Sequence, residues 1–320
     1  MSYLDYVNEK CIECGKCTKN CDFLTKYHLN LKDYTKREDL KYHCFLCGVC
    51  KQVCPQDLDG RKVSTELRMG EEKGFGMMKF EKSPYIFRNN SKKKSKTLLF
   101  LGCSFPRQYP ETTKALINLF IQNGIDFSLD CCGKPVYETG DEKRIKKDKE
   151  RLETIFKEKG IERIVTACMN CYYFFKEHYD IEVVSIYQEL KELGLGKKIE
   201  EERNIFIPCP DRQTKEVLED IKYFVPNLKT PFENVQCCGL GGLAFGTERE
   251  LADGFVEKLR DYDIPVTTYC ASCSGRFRKN EIKLTGHILC EIMDVEEKEA
   301  LGFLKGSLQI RNYRRNRWQL

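Results

Sequence analysis

Residues 44–55 read CFLCGVCKQVCP, four cysteines at C-x2-C-x2-C-x3-C closed by a proline. Residues 11–21, CIECGKCTKNC, carry the same spacing earlier in the chain. Three cysteines within seven residues can wrap three thiolates around one small inorganic body. The fourth, three residues further on, points away and serves a neighbouring centre. This is the spacing of paired [4Fe–4S] centres. The ligand sets it predicts are Cys11, Cys14 and Cys17 with Cys54, and Cys44, Cys47 and Cys50 with Cys21. Gly15 and Gly48 lie inside the loops, where backbone N–H groups approach cluster sulfur and a Cβ would intrude. Structural zinc is the rival. A tetrahedral zinc site draws two C-x2-C pairs from separate places and has no use for a third cysteine in the same turn. The first run departs from the pattern at one position, with Asp22 where the second has Pro55. His28 and His43 flank the region and read as solvent-facing polar residues.

The chain has 320 residues, 41% apolar and 32% charged, which bounds it as two or three globular domains. No apolar run reaches the length of a membrane span. The opening MSYLDYVNEK lacks the basic-then-apolar pattern of a secretory signal. The expectation is a cytoplasmic protein with no integral membrane segment. Nineteen cysteines in a reducing compartment do not make a disulfide framework. The net charge of +5 is concentrated in SKKKSK (91–96) and RNYRRNRWQL (311–320). Both read as solvated segments, and no motif behind them signals nucleic-acid binding.

Beyond residue 97 the chain repeats itself. Strand-like TLLFLGC (97–103) precedes an amphipathic helix, then IDFSLDCCG (125–133), a charged helix, and strand-like RIVTACMNC (163–171). The second copy runs NIFIPC (204–209), a helix in DRQTKEVLEDIKYFV, strand-like NVQCCG (234–239), a helix in TERELADGFVEKL, and strand-like PVTTYCASC (265–273). Strands alternating with helices predict two α/β units with mainly parallel sheets. Each copy places cysteines at the carboxyl ends of its strands, the side on which such sheets bind ligands.

Two sets of five cysteines result: Cys103, Cys131, Cys132, Cys168 and Cys171, then Cys209, Cys237, Cys238, Cys270 and Cys273. In both, 27 residues (104–130 and 210–236) separate the single cysteine from the pair. The pair is separated from the CxxC by 35 and 31 residues (133–167 and 239–269). Five thiolates exceed what one cubane or one zinc ion takes, so the surplus predicts a larger or opened iron–sulfur assembly. Gly133 and Gly239 follow the pairs and permit close approach to sulfide. Paired zinc sites or buried apolar cysteines are the plainer alternative.

The stretches C…CCGKP…CMNC and C…CCGLGG…CASC resemble the CCG domains of the heterodisulfide reductase family. A ferredoxin-like module followed by two such domains resembles that family's iron–sulfur subunit, and is similar to the iron–sulfur subunit of glycolate oxidase. The resemblance covers about residues 1–290. It implies a noncubane [4Fe–4S] cluster in each fully equipped CCG domain, where substrate sulfur binds iron. It also implies that the two cubane clusters feed electrons to these sites. The second set, Cys209, Cys237, Cys238, Cys270 and Cys273, is then the catalytic one. Pro210 and Asp211 stand where the family often has a histidine, and the single-to-pair gaps are short.

The expected organisation is α+β overall: a mainly helical ferredoxin-like domain (1–80), a basic linker (81–97), CCG domains at 98–200 and 201–300, and a basic tail (301–320). The favoured function is reduction of a small-molecule disulfide in two one-electron steps, with a flavoprotein or other redox subunit as donor or acceptor. The alternatives are an electron-transfer subunit of a flavoprotein 2-hydroxy-acid dehydrogenase, and a zinc-stabilised scaffold. GLGGLA (239–244) matches a relaxed dinucleotide fingerprint, but the cysteine pair before it already accounts for its glycines. His287 and Cys290 read as packed helix residues, and Arg276 and Lys279 as a solvated face.

Overall fold

In a computed structural model of the chain, the described residues are 1–82, 93–297, 309–310 and 313. Most of the basic linker and basic tail therefore lies outside them. Two compact units emerge. One comprises Met1–Phe75, Pro135–Ile145 and Phe232–Asp263; the other comprises Gly76–Lys134, Lys146–Pro231 and Ile264–Leu320.

The first unit is helical. Short helices over Lys16–Asn20 and Val49–Val53 follow the two cysteine runs and pack on each other. Each begins at a glycine in the left-handed region, Gly15 at φ 71° and Gly48 at φ 76°. Glu13 and Leu46, two residues into each run, are also left-handed at φ 52° and 51°. The repeated spacing thus yields a repeated backbone. Val7, Phe23, Leu24, Leu31, Tyr34 and Val63 form the core beneath these loops. A helix capped by Asp59 spans Gly60–Arg68 and anchors the module, with Glu66 accepting from the Tyr3 N–H at 2.9 Å. The helix closes at Arg68, just before Gly70 turns left-handed at φ 87°, with Gly74 following at 88°.

The second unit holds two four-stranded parallel sheets. The first contains β1 (Thr97–Phe100), β2 (Asp126–Ser128), β3 (Arg163–Thr166) and β4 (Glu182–Ser185), in the order β2-β1-β3-β4. The second contains β5 (Arg203–Phe206), β6 (Leu228–Lys229), β7 (Val266–Thr268) and β8 (Leu284–His287), in the order β6-β5-β7-β8. Every pairing is parallel. The α+β class, with a helical module and two repeated α/β domains, holds. Helices over Pro110–Gln122, Glu142–Lys159 and Met169–His178 link the strands of the first sheet, and Leu98, Leu99 and Phe100 of β1 are fully buried. A short apolar run covered on both faces is what a parallel sheet requires.

In both sheets the direction of winding reverses at the strand that starts the repeat. The crevice at such a switch point opens beyond the carboxyl ends of the two central strands. Those ends are β1 and β3 in one sheet and β5 and β7 in the other.

Three expectations are corrected. NVQCCG is not a strand: residues 234–239 are irregular, belong to the first unit, and end at left-handed Gly239. Its place in the second sheet is taken by the two-residue β6, earlier in the chain. β4 and β8 were not anticipated; β8 buries only His287 fully and contains Gly286, so its pattern is too weak to read.

Candidate iron–sulfur centres

None of the nineteen cysteines is in a disulfide. In the first unit Cys11 closes the helix Tyr3–Lys10, while Cys21 and Cys54 close the two short helices after the runs. The placement of Cys21 is informative. Burial first, and then repulsion from Cys47, Cys50 and Cys44, push its thiol well up. Cys50 rises in the same way, through burial and then Cys44 and Cys47. The last cysteine of the first run therefore stands among the first three of the second. Cys11 and Cys17 are neighbours by the same measure.

Cationic and N–H groups surround the second of these sets. Burial pulls the Arg61 guanidinium down, but hydrogen bonding and charge attraction from Asp59, with Cys50 and Cys47 adding to them, together raise it further. A Cβ on Gly48 would stand 3.1 Å from Arg61 Cζ. Buried Arg68 donates from Nη2 to the Cys44 carbonyl at 3.3 Å and from Nη1 to the Glu138 carbonyl at 2.9 Å. Gln236 donates from Nε2 to Cys47 Sγ at 3.4 Å and to Cys21 Sγ at 3.9 Å. Sequence reasoning missed Gln236, Arg61 and Arg68. The one available signal for Gln236 was its place beside the Cys237–Cys238 pair.

In the second unit the first set of five converges. Cys103 hydrogen-bonds Cys131, Cys131 bonds Cys132, Cys132 bonds Cys171, and Cys171 bonds Cys168. Cys131 and then Cys171 donate to Cys132 and pull it down to about 6. Cys171 likewise lowers Cys168. Cys168 is the N-cap of the helix Met169–His178, so Cys168 and Cys171 sit at a helix N-terminus, where free N–H groups and the dipole favour thiolate. The donor set fits an anionic, multi-thiolate cofactor. Among the described residues no three His, Cys, Asp or Glu side chains meet as ligands of one metal ion would. Cluster thiolates each hold a different iron and stand wider apart.

The second set repeats these local settings. Cys209 follows β5, and Cys270 caps the helix Ala271–Lys279 with backbone angles close to those of Cys168. Cys237 and Cys238 fall in the other unit, where Gly239 N–H donates to Cys237 Sγ at 3.0 Å. Gly133 and Gly239 are both left-handed, at φ 95° and 82°. Asp211 is fully buried, accepting from the Tyr269 hydroxyl at 2.6 Å and from the N–H groups of Val217 and Leu218.

Chain comparisons bear on the same residues. The 4Fe-4S dicluster domain family matches residues 10–58, and the cysteine-rich CCG domain family matches 97–176 and 203–278. The chain joins a 4Fe-4S dicluster domain to two CCG domains. Its relatives include uncharacterized iron-sulfur proteins of Methanococcus maripaludis and Methanocaldococcus jannaschii, each 23% identical over 81% and 84% of this chain. Another is one subunit of the fumarate reductase (CoM/CoB) of Methanothermobacter marburgensis, 23% identical over 94% of this chain. The chain spans 66%, 67% and 71% of their respective lengths. A glutamate racemase of Bacillus anthracis resembles the fold only weakly, at 12% identity and TM-score 0.31 over 71% of this chain and 84% of its own, and carries no argument. The present chain is an iron–sulfur electron-transfer protein of the CCG type, resembling the heterodisulfide reductase family as its motifs predicted. Among the described residues no helix is long and apolar enough to cross a membrane.

Several remaining expectations change. GLGGLA has no strand before it. Gly242 is left-handed at φ 63°, and a Cβ there would stand 2.2 Å from the Cys44 carbonyl oxygen, so these glycines let the chain press against the dicluster loop. His43 is not a solvent-facing residue: Nδ1 contacts Glu248 at 2.7 Å, and Glu248 also accepts from Tyr27 and Lys26. Arg276 is buried rather than solvated, while Lys279 is exposed. His287 ends β8 and caps the helix Ile288–Ile292 through Nδ1. Cys290 lies in the apolar core, where burial pushes it up to about 12.

Proposed function

We infer that this CCG protein is an oxidoreductase subunit that relays electrons from two cubane [4Fe–4S] clusters to noncubane clusters in its CCG domains. Cys11, Cys14, Cys17 and Cys54 hold one cubane, and Cys44, Cys47, Cys50 and Cys21 the other. Cys103, Cys131, Cys132, Cys168 and Cys171 form one noncubane site. Cys209, Cys237, Cys238, Cys270 and Cys273 form the second, which is the catalytic one. Iron–sulfur clusters supply single-electron steps. The chain's residues supply thiolates, N–H donors to sulfur, positive charge from Arg61, and burial. The observation carrying the reading is Cys21 among Cys44, Cys47 and Cys50, the exchange that two interleaved clusters demand.

The substrate class is a disulfide, which takes up two electrons and two protons to give two thiols. The relative named for CoM/CoB is a reductase subunit, which supports a role within a larger assembly that includes a flavoprotein or other redox partner. That same relationship favours a second reading, in which the chain only passes electrons to a partner that holds the catalytic site. Anaerobically purified protein given reduced viologen and small disulfides separates the two. Disulfide-dependent oxidation of viologen by the chain alone supports the first reading, and its absence in iron-loaded protein supports the second.

A further inference from the structure

The residue before the Cys237–Cys238 pair is Gln236, 6% exposed and within the same compact unit as the dicluster loops. Its amide orientation is fixed. Oε1 accepts from the Asp22 backbone N–H at 2.9 Å, so Nε2 faces sulfur, reaching Cys47 Sγ at 3.4 Å and Cys21 Sγ at 3.9 Å. Thr247 and Glu248, later in the same segment, tie it to the module as well. The Thr247 hydroxyl donates to the Tyr42 carbonyl at 2.9 Å, and Glu248 accepts from Lys26 at 2.7 Å.

Asp22 accounts for itself here. It occupies the position that Pro55 fills after the second run. A proline at 22 would have no N–H and would leave the Gln236 carbonyl without its donor. The Asp22 carboxylate is held in turn by Lys258 at 2.8 Å. The departure from pattern and the amide form one device.

We propose that Gln236 is a tuning and positioning residue for the centre held by Cys21, Cys44, Cys47 and Cys50, and that its backbone link to Cys237, inside the same compact unit, is the path by which electrons leave that centre. This rests on the iron–sulfur reading above. An N–H donated to a ligating sulfur stabilises the more negative, reduced state and raises the potential of the centre. The side chain that makes the bond is joined covalently to Cys237 through its own backbone, so one residue both sets the potential and provides the path. No electron acceptor beyond the second CCG set is required, since one electron leaves the reduced cubane and the same electron arrives.

Iron content and potentiometric titration followed by electron paramagnetic resonance test this in the full chain. Q236L, and D22P independently, are expected to keep wild-type iron while shifting the midpoint of one cubane to more negative potential and leaving the other unmoved. Q236E, which keeps the shape but puts an acceptor where Nε2 lay, is expected to shift it further the same way. Electron nuclear double resonance on wild-type protein carrying side-chain 15N-glutamine requires no variant. A 15N coupling to one reduced cubane is expected, and its absence would overturn the proposal. Unmoved midpoints in iron-replete Q236L would do the same while leaving the iron–sulfur reading intact. Wild-type protein without iron would instead end that reading itself.

Discussion

Gly60 lies so close to Cys50 that a Cβ on it would stand 2.8 Å from the cysteine sulfur and 2.9 Å from Leu31 Cδ2. In an exposed helix, glycine to alanine stabilises by roughly 1 kcal/mol. Here the added methyl overpacks the Cys50 sulfur and Leu31, and overpacking costs about 1–3 kcal/mol. Packing wins over propensity. Gly60→Ala is expected to lower the melting temperature and to weaken iron retention at the Cys21, Cys44, Cys47 and Cys50 set. Iron analysis with a thermal melt checks both, and an alanine variant that melts higher with full iron would contradict the geometry.

Lys159 and Asp126 form a buried ion pair in the first CCG domain, both about 5% exposed. Removing one partner strands the other charge. Lys159→Met is expected to cost ~3–5 kcal/mol. The double variant Asp126→Leu with Lys159→Met, which removes both charges, is expected to recover most of that loss. Denaturant unfolding of the two singles and the double closes the cycle, and additive losses would rule out direct coupling.

His287 carries a pH dependence with a definite sign. Burial depresses its imidazole from 6.5 to about 3. The unfolded chain therefore binds a proton below pH 6.5 that the folded chain refuses. Stability is present in full above 6.5 and is lost as pH falls toward 3, at up to about 1.36 kcal/mol per unit. His287→Asn keeps a cap for the helix Ile288–Ile292 and removes the titration. It is expected to flatten the stability profile between pH 6.5 and 5, measured by equilibrium unfolding. An unchanged slope would show that His287 is not the group responsible.

In the thiol chain of the first CCG domain, Cys171 bonds both Cys132 and Cys168. Cys171→Ala is expected to remove one cluster's iron, about four atoms, while leaving the resonance signals of both cubanes. Loss of a cubane signal instead would place Cys171 in the wrong site.

Much of this molecule was legible in its cysteines. The C-x2-C-x2-C-x3-C runs dictate a local loop, and that loop recurs in the backbone at Glu13, Gly15, Leu46 and Gly48. β1, β3, β5 and β7 were legible because short buried runs such as TLLF and RIVT carry their apolar signal within a few residues. β8 carries no such signal, and β6 is two residues long. NVQCCG misled because buried residues such as Val235 and Cys237 look strand-like, although the backbone there is irregular and pairs with no strand among the described residues. Gln236 and Glu248 could not have been found locally. Their partners lie more than 180 residues away along the chain, at Asp22, Cys47, Tyr27 and His43. Side chains that reach so far back along the chain leave no spacing of their own.

Metal analysis of anaerobically purified protein, read with its visible absorbance and low-temperature resonance spectrum, tests the central claim most directly. Eighteen of the nineteen cysteines fall into four sets, and a four-iron cluster in each predicts about sixteen irons per chain with matching acid-labile sulfide. A colourless protein carrying zinc and no iron would contradict it.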